Sequence, residues 1–307
     1  MSNAASKTPE DSKFGTFGGV FTPSTLTILG VIMFLRFGQV VGEAGLIHAI
    51  VIVLSAKLIT TLTGLSIAAI ATNARVEAGG AYYLISRSLG VEFGGAIGVV
   101  FFLAQAVSVA MYVIGFTEAF LNLFPTSGLS PLATGTIVNA VVFICVFIGA
   151  GWTIKVQFGI LAILVLSLIA FATGAVPDLS SENFRANLQP EYLGNHGFFT
   201  MFALFFPAVT GIMAGVNMSG DLRSPRKSIP AGTLAAIGVT AATYLIMAFL
   251  FAASRPRGAL QLNRFVMLDI SASPALINAG IFAATLSSAL GSMMGAPRIL
   301  QALARDD

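Results

Sequence analysis

The chain has 307 residues, of which 56% are apolar and only 9% charged, whereas a soluble globular domain carries about 25% charged residues. That excludes a water-soluble fold standing alone, and a formal charge of +3 gives no electrostatic case for nucleic acid. The apolar runs are continuous rather than alternating, which excludes a porin-like barrel.

Residues 1–13 read as a short polar cytoplasmic tail without the apolar core of a signal peptide. Residues 14–307 read as one transmembrane domain. Eight helical spans are predicted, at 20–41, 46–73, 93–122, 132–150, 154–176, 197–220, 231–253 and 273–303. A span needs about 20 mostly apolar residues. Arg75–Glu92, between spans 2 and 3, is amphipathic and predicts a helical loop, with Arg75, Glu77, Arg87 and Glu92 on a solvated face. Pro125–Pro131 is a cluster of turn formers that separates spans 3 and 4. Loops and ends on the N-terminal side hold ten Lys and Arg residues, against four (Arg185, Arg255, Arg257, Arg264) on the other. The positive-inside rule then places the N-terminus in the cytoplasm of a multi-pass protein of the cell membrane. Cys145 is the sole cysteine, so neither an intrachain disulfide nor a cysteine metal cluster is possible. His48 and His196 lie near span ends and no carboxylate pair lies mid-span. That argues against an intramembrane enzyme and supplies no catalytic residues.

Spans 1 and 6 share a pattern. Gly30 is followed by Val31-Ile32, and Gly211 by Ile212-Met213, each near mid-span; Pro23 opens span 1 and Pro207 precedes Thr210. The two spans run in opposite directions through the membrane. This predicts an inverted-repeat transporter with discontinuous helices 1 and 6. At such a break, carbonyls without intrahelical partners suit a cation, and the free N–H groups of the next half-helix suit an anion. Glycines followed by bulky residues also serve as packing devices between spans, and from these two segments alone both readings stand.

Longer motifs add a resemblance. Leu26–Arg36, Ala71–Asn73, Gly79–Gly90, Ala110–Gly115, Phe205–Asp221 and Ala284–Ala289 resemble the cation–chloride cotransporter family, within the amino acid–polyamine–organocation superfamily. The likeness runs from about Lys13 to Asp307. It implies an all-α membrane protein with the five-plus-five inverted-repeat (LeuT-like) transporter fold, of which only the first eight transmembrane helices are present. It further implies symport of chloride with sodium, potassium or both, with no cofactor and with inorganic ions and the lipid bilayer as partners.

Carried over residue by residue, the resemblance implies a potassium site of Thr27 and Ile28 carbonyls, the Tyr112 hydroxyl, Pro207 and Thr210. Chloride would bind the amides of Gly30, Val31 and Ile32, and a second chloride those of Gly211, Ile212 and Met213. Sodium would take the carbonyls of Leu26, Leu29 and Ala284 with the hydroxyls of Ser287 and Ser288. Arg36 and Glu118 resemble an external gate pair. The presence of both Tyr112 and the serine pair resembles the sodium–potassium–chloride subtype. One sodium, one potassium and two chlorides make transport electroneutral. In bland terms, the serines would bond one turn back in their own helix, Tyr112 would be a packing residue and Arg36 would snorkel.

Three features depart from the family pattern. Thr27 stands where asparagine is common, which a carbonyl ligand tolerates. Lys57 lies inside span 2, where the family has a neutral residue; a water-filled crevice or snorkelling would accommodate it. The chain stops after span 8, so the ten-helix core is expected to be incomplete, as is the C-terminal domain through which a full-length protein would form a homodimer. The expected mechanism is alternating access, with spans 1, 2, 6 and 7 rocking against spans 3, 4 and 8. Two alternatives stay open: an amino-acid or amine transporter of the same superfamily, and a non-transporting membrane subunit.

Overall fold

The computed structural model describes residues 13–73, 80–148 and 153–305. Among these residues eight helices are long and apolar enough to cross a membrane: Phe17–Leu35, Phe37–Asn73, Val91–Leu123, Pro131–Ile148, Val156–Asp178, Phe198–Val216, Pro225–Ser254 and Pro274–Leu303. They are numbered here as spans 1 to 8. Large apolar side chains such as Leu58, Leu62, Val107 and Phe147 are exposed on their outer surfaces, as a hydrocarbon solvent allows and water does not. Among the described residues the β-structure is a single bridge, between Phe14 and Leu222.

The end of span 1 differs from expectation. Residues 36–41 do not prolong it. The helix stops at Leu35, and Arg36 leaves helical geometry (φ −129°, ψ −24°). A short helix from Phe37 follows, ending at Gly45 with φ 65°. The cause is tertiary. A Cβ at Gly45 would overlap the Gln189 carbonyl oxygen, so only glycine permits the approach and the positive φ. Beside it, the fully buried Glu43 carboxylate meets His196 Nδ1 at 2.7 Å and accepts from Gln39 Nε2 at 2.9 Å and from Leu193 N at 3.3 Å. The loop before span 6 is thereby pinned onto the kink near the start of span 2.

The loop between spans 2 and 3 is helical from Gly80 to Leu89, with Ala81, Tyr82 and Leu84 buried on one face. Arg87 lies over the Tyr83 ring, 5.1 Å from its centroid. Arg75 and Glu77 fall outside the described residues. Gly90, at φ 100°, turns the chain into span 3.

The spans sort into two groups. Span 8 packs along span 3 and also against span 5, while span 7 packs along span 2. Span 1 sits between the groups and touches spans 5, 6, 7 and 8. At the N-terminal face, Phe14 N donates to Asp221 O and Arg223 N to Phe14 O, both at 2.9 Å. This ties the start of span 1 to the segment leaving span 6.

Candidate ion-binding site

Span 1 is interrupted at the expected glycine. A first half-helix, α1, runs Thr22–Ile28 and a second, α2, runs Val31–Leu35. Between them Leu29 (φ −86°, ψ 51°) and Gly30 (φ −98°, ψ −150°) leave the helical region. The last carbonyls of α1 and the first amides of α2 therefore lack helical partners. The first α2 amide to bond back is Met33, to Gly30 O at 3.1 Å. The amides of Gly30, Val31 and Ile32 precede it.

Span 6 is interrupted in a different manner. An α-helix at Phe198–Phe205 tightens to 3₁₀ winding over Phe206–Ile212, then resumes as a single turn at Met213–Val216. The proline at 207 and the 3₁₀ turn mark a discontinuity. No residue becomes extended: Ile212 has φ −60° and ψ −26°. The amides of Gly211, Ile212 and Met213 thus lie in wound backbone, not at a helix start after an open break. Ser24 of span 1 enters this weakened ladder. Its hydroxyl donates to Ile212 O (3.3 Å) and accepts from Gly215 N (3.2 Å).

The two interruptions cross at close range. A Cβ on Gly211 would stand 2.7 Å from Thr27 Cβ and 2.9 Å from Ile28 N. A narrow cleft, without room for a water molecule, lies beside the crossing and is bounded by Thr27, Ile28, Gly30, Val31, Ile32, Met111, Tyr112, Pro207 and Ala208. No side chain in that lining carries a charge. Four residues expected to hold potassium and three expected to hold chloride share it. Thr210 and Gly211 lie on an adjoining cavity of about 150 Å³, which Thr27, Tyr112, Gln157, Ser287 and Arg298 also line. Ile212, fully packed, and Met213 complete the second expected chloride segment.

The residues expected to hold sodium converge in part. The position a Cβ would take on Gly30 is 3.0 Å from Thr27 O, 3.7 Å from Ser288 Oγ and 3.9 Å from Leu26 O. Ser288 is buried, and its hydroxyl faces Tyr112 without a well-formed hydrogen bond. Neither serine bonds one turn back, unlike Thr285, which donates to Ile281 O at 2.7 Å. Leu29 is one of the two break residues, and Ala284 is fully buried one turn before Ser288.

Arg36 does not snorkel. Its Nη2 donates to both oxygens of Glu118, at 2.9 and 2.8 Å. Arg264, from the loop between spans 7 and 8, approaches the same carboxylate at 3.8 Å. Lys57 faces neither an open crevice nor an interface. It is buried and donates to Thr240 Oγ1 at 2.6 Å. Tyr244 went unnoticed in the sequence: fully buried, it donates its hydroxyl to Ile28 O at 2.8 Å. Ser24 and Arg264 were missed as well. One hydroxyl among several, beside Thr22, Thr25 and Thr27, and a loop arginine carry no local signal, because each acts on a residue roughly 150 or more positions away in the chain.

The family model for amino acid permeases matches residues 19–307. Solute carrier family 12 member 1 of mouse is 38% identical over 96% of this chain and 32% of its own length. Member 2 of mouse is 39% identical over 96% and 29%, and member 2 of zebrafish 38% over 96% and 31%. The chain thus spans about a third of the length of the curated relatives it matches. A solved structure of a substrate-bound, outward-open Na⁺-coupled sialic acid symporter superposes with a TM-score of 0.69, covering 97% of this chain and 68% of the symporter. At 15% identity that likeness speaks to the fold alone, and it agrees with the inverted-repeat transporter architecture. The matched family model, the motifs of spans 1, 3, 6 and 8, and the identity to solute carrier family 12 lead to one assignment: the chain belongs to the amino acid permease family, in its cation–chloride cotransporter branch.

Proposed function

We propose that the protein is a secondary active cotransporter that moves chloride together with sodium and potassium, electroneutrally, by alternating access. One observation supports the reading: the narrow cleft at the span 1 break is bounded by uncharged residues alone, among them Thr27, Ile28, Gly30, Tyr112 and Pro207. Such a cleft has no fixed charge to neutralise a lone ion. Cations and anions bound together offset one another's desolvation in a low-dielectric site. Potassium sits against the Thr27 and Ile28 carbonyls, Tyr112, Pro207 and Thr210. Chloride binds at the amides of Gly30, Val31 and Ile32, and the second chloride at Gly211, Ile212 and Met213. The wound backbone there makes it the weaker of the two anion positions. Sodium occupies the point where Leu26 O and Ser288 Oγ approach Gly30, with Leu29, Ala284 and Ser287.

The gating follows from the same geometry. The Arg36–Glu118 pair closes the side opposite the N-terminus, while the cavity past Ser287 and Thr210 leads toward Arg298 near the N-terminal face. With that face cytoplasmic, this is an inward-facing arrangement of a cell-membrane protein. Spans 2, 6 and 7, moving with span 1 against spans 3, 4, 5 and 8, supply the moving parts. The test is rubidium-86 uptake by the complete gene product in liposomes, with sodium and chloride withdrawn in turn. Withdrawal of either abolishes uptake, and Tyr112→Phe weakens potassium dependence while sparing sodium dependence. Uptake indifferent to chloride, or chloride-independent uptake of amino acids, overturns the reading.

A further inference from the structure

Lys57 has no place in the ion path described so far. It is 5% exposed within span 2, and no ion pair among the described residues includes it. An ionisable group inside a span is costly enough to call for a functional account with a named partner. Its Nζ donates to Thr240 Oγ1 at 2.6 Å. Thr240 can accept because its own proton is directed at Ala236 O, 2.7 Å away. The same Nζ stands 5.6 Å from the centroid of the Tyr244 ring. The Tyr244 hydroxyl donates to Ile28 O at 2.8 Å. Ile28 ends α1 and lines the uncharged cleft. Two successive contacts, Lys57 over the Tyr244 ring and the Tyr244 hydroxyl on Ile28 O, therefore join a buried amine to a carbonyl of the broken helix.

We propose that Lys57 is a positioning residue that, through Tyr244, sets how strongly the Ile28 carbonyl attracts a cation, and so tunes the balance of cation against chloride at the span 1 break. The inference rests on the proposed cotransport function. Two effects act with the same sign. An ammonium over the ring face draws on the π-electrons, which makes the phenol a stronger donor and leaves less negative charge on Ile28 O for a bound cation. When Lys57 is protonated, its charge also opposes a second cation and favours an anion across a low-dielectric interior. Lys57 thus weakens cation binding and strengthens chloride binding. A site emptied on every cycle benefits from such a restraint on affinity.

The experiment uses the complete gene product in liposomes. It compares wild type, Lys57→Met, Lys57→Arg, Tyr244→Phe and the Lys57→Met/Tyr244→Phe double variant. Half-saturating rubidium, half-saturating chloride and maximal rate are read separately. Lys57→Met lowers half-saturating rubidium by about threefold or more, from the strength of a cation–π contact, and raises that of chloride. Lys57→Arg keeps wild-type values. The rubidium shift shrinks in the Tyr244→Phe background, because the two residues act in series. If Lys57→Met fails to fold, Lys57→Gln keeps a donor for Thr240 without the charge and gives the same expected shifts. Unchanged half-saturation constants, a change in maximal rate alone, or a full-sized shift in the Tyr244→Phe background overturns the proposal. In those cases chloride-dependent uptake by wild type leaves the cotransport reading standing. Wild-type uptake indifferent to chloride overturns both.

Discussion

The crossing of spans 1 and 6 is testable with a single methyl group. Gly211→Ala would place a Cβ 2.7 Å from Thr27 Cβ, 2.8 Å from Thr27 Cγ2 and 2.9 Å from Ile28 N. Carbon atoms pack at about 3.5–4.0 Å, so the two segments must part by roughly 1 Å. Two of the three clashes involve backbone or Cβ atoms, which no rotamer change can relieve. Overpacking of this kind costs about 1–3 kcal/mol. Within lipid, the close approach of small residues is what holds spans together, so little compensates the loss. Gly238, in span 7, is the internal control, because a Cβ there meets nothing within 4 Å. Gly238→Ala is expected to be neutral or to stabilise by about 0.5–1 kcal/mol, the helix preference of alanine over glycine. The assay is thermal unfolding in detergent alongside rubidium uptake. Gly211→Ala lowers the melting temperature and uptake together, since Thr27 and Ile28 line the cleft; Gly238→Ala lowers neither. Equal behaviour of the two variants would refute the claim that the interruptions are held in register by contact at Gly211.

Further predictions concern the face opposite the N-terminus and the second break. Gly45→Ala adds strain of about 1–3 kcal/mol in a backbone region that only glycine adopts readily and drives a Cβ into Gln189 O; reduced thermal stability without a selective change in half-saturating chloride is the expected result, checked by melting and uptake curves. Glu118→Gln removes the charge facing Arg36 and Arg264, so a cysteine placed at Met111 should react faster with a membrane-impermeant thiol reagent added from the external side. An unchanged labelling rate would mean that the pair is not the barrier. Ser24→Ala removes the hydroxyl that serves Ile212 O and Gly215 N in span 6. Both backbone groups lose that side-chain partner, and a hydrogen bond is worth roughly 0.5–1.5 kcal/mol net. A lowered melting point, with the loss largely restored by Ser24→Thr, checks it.

The sequence was most legible where chemistry is local. Apolar runs of span length located all eight helices, and Gly30 between bulky residues located the one open break. Residues 36–41 misled because Phe37, Val40 and Val41 carry the apolar pattern past Arg36; the helix breaks at Arg36, which pairs with Glu118, and the chain turns again at Gly45 against the Gln189 backbone, both contacts being distant in the chain. The span 6 segment looked like a copy of span 1, yet Pro207 tightens the backbone rather than opening it. Pattern alone cannot separate these outcomes, since both segments offer a glycine followed by bulky residues, with a proline nearby. Lys57 and Tyr244 were illegible as a pair: their coupling exists only once spans 2 and 7 lie side by side and Tyr244 reaches across to span 1.

The most direct measurement is a structure of the complete gene product in rubidium bromide, with both ions located by their anomalous or density signal. Rubidium should rest against Ile28, Tyr112 and Pro207, with bromide at the amides of Gly30, Val31 and Ile32, beside a span 1 that stays open at Leu29–Gly30. Ions found only on charged side chains, or a first span that winds without interruption through Gly30, would contradict the account.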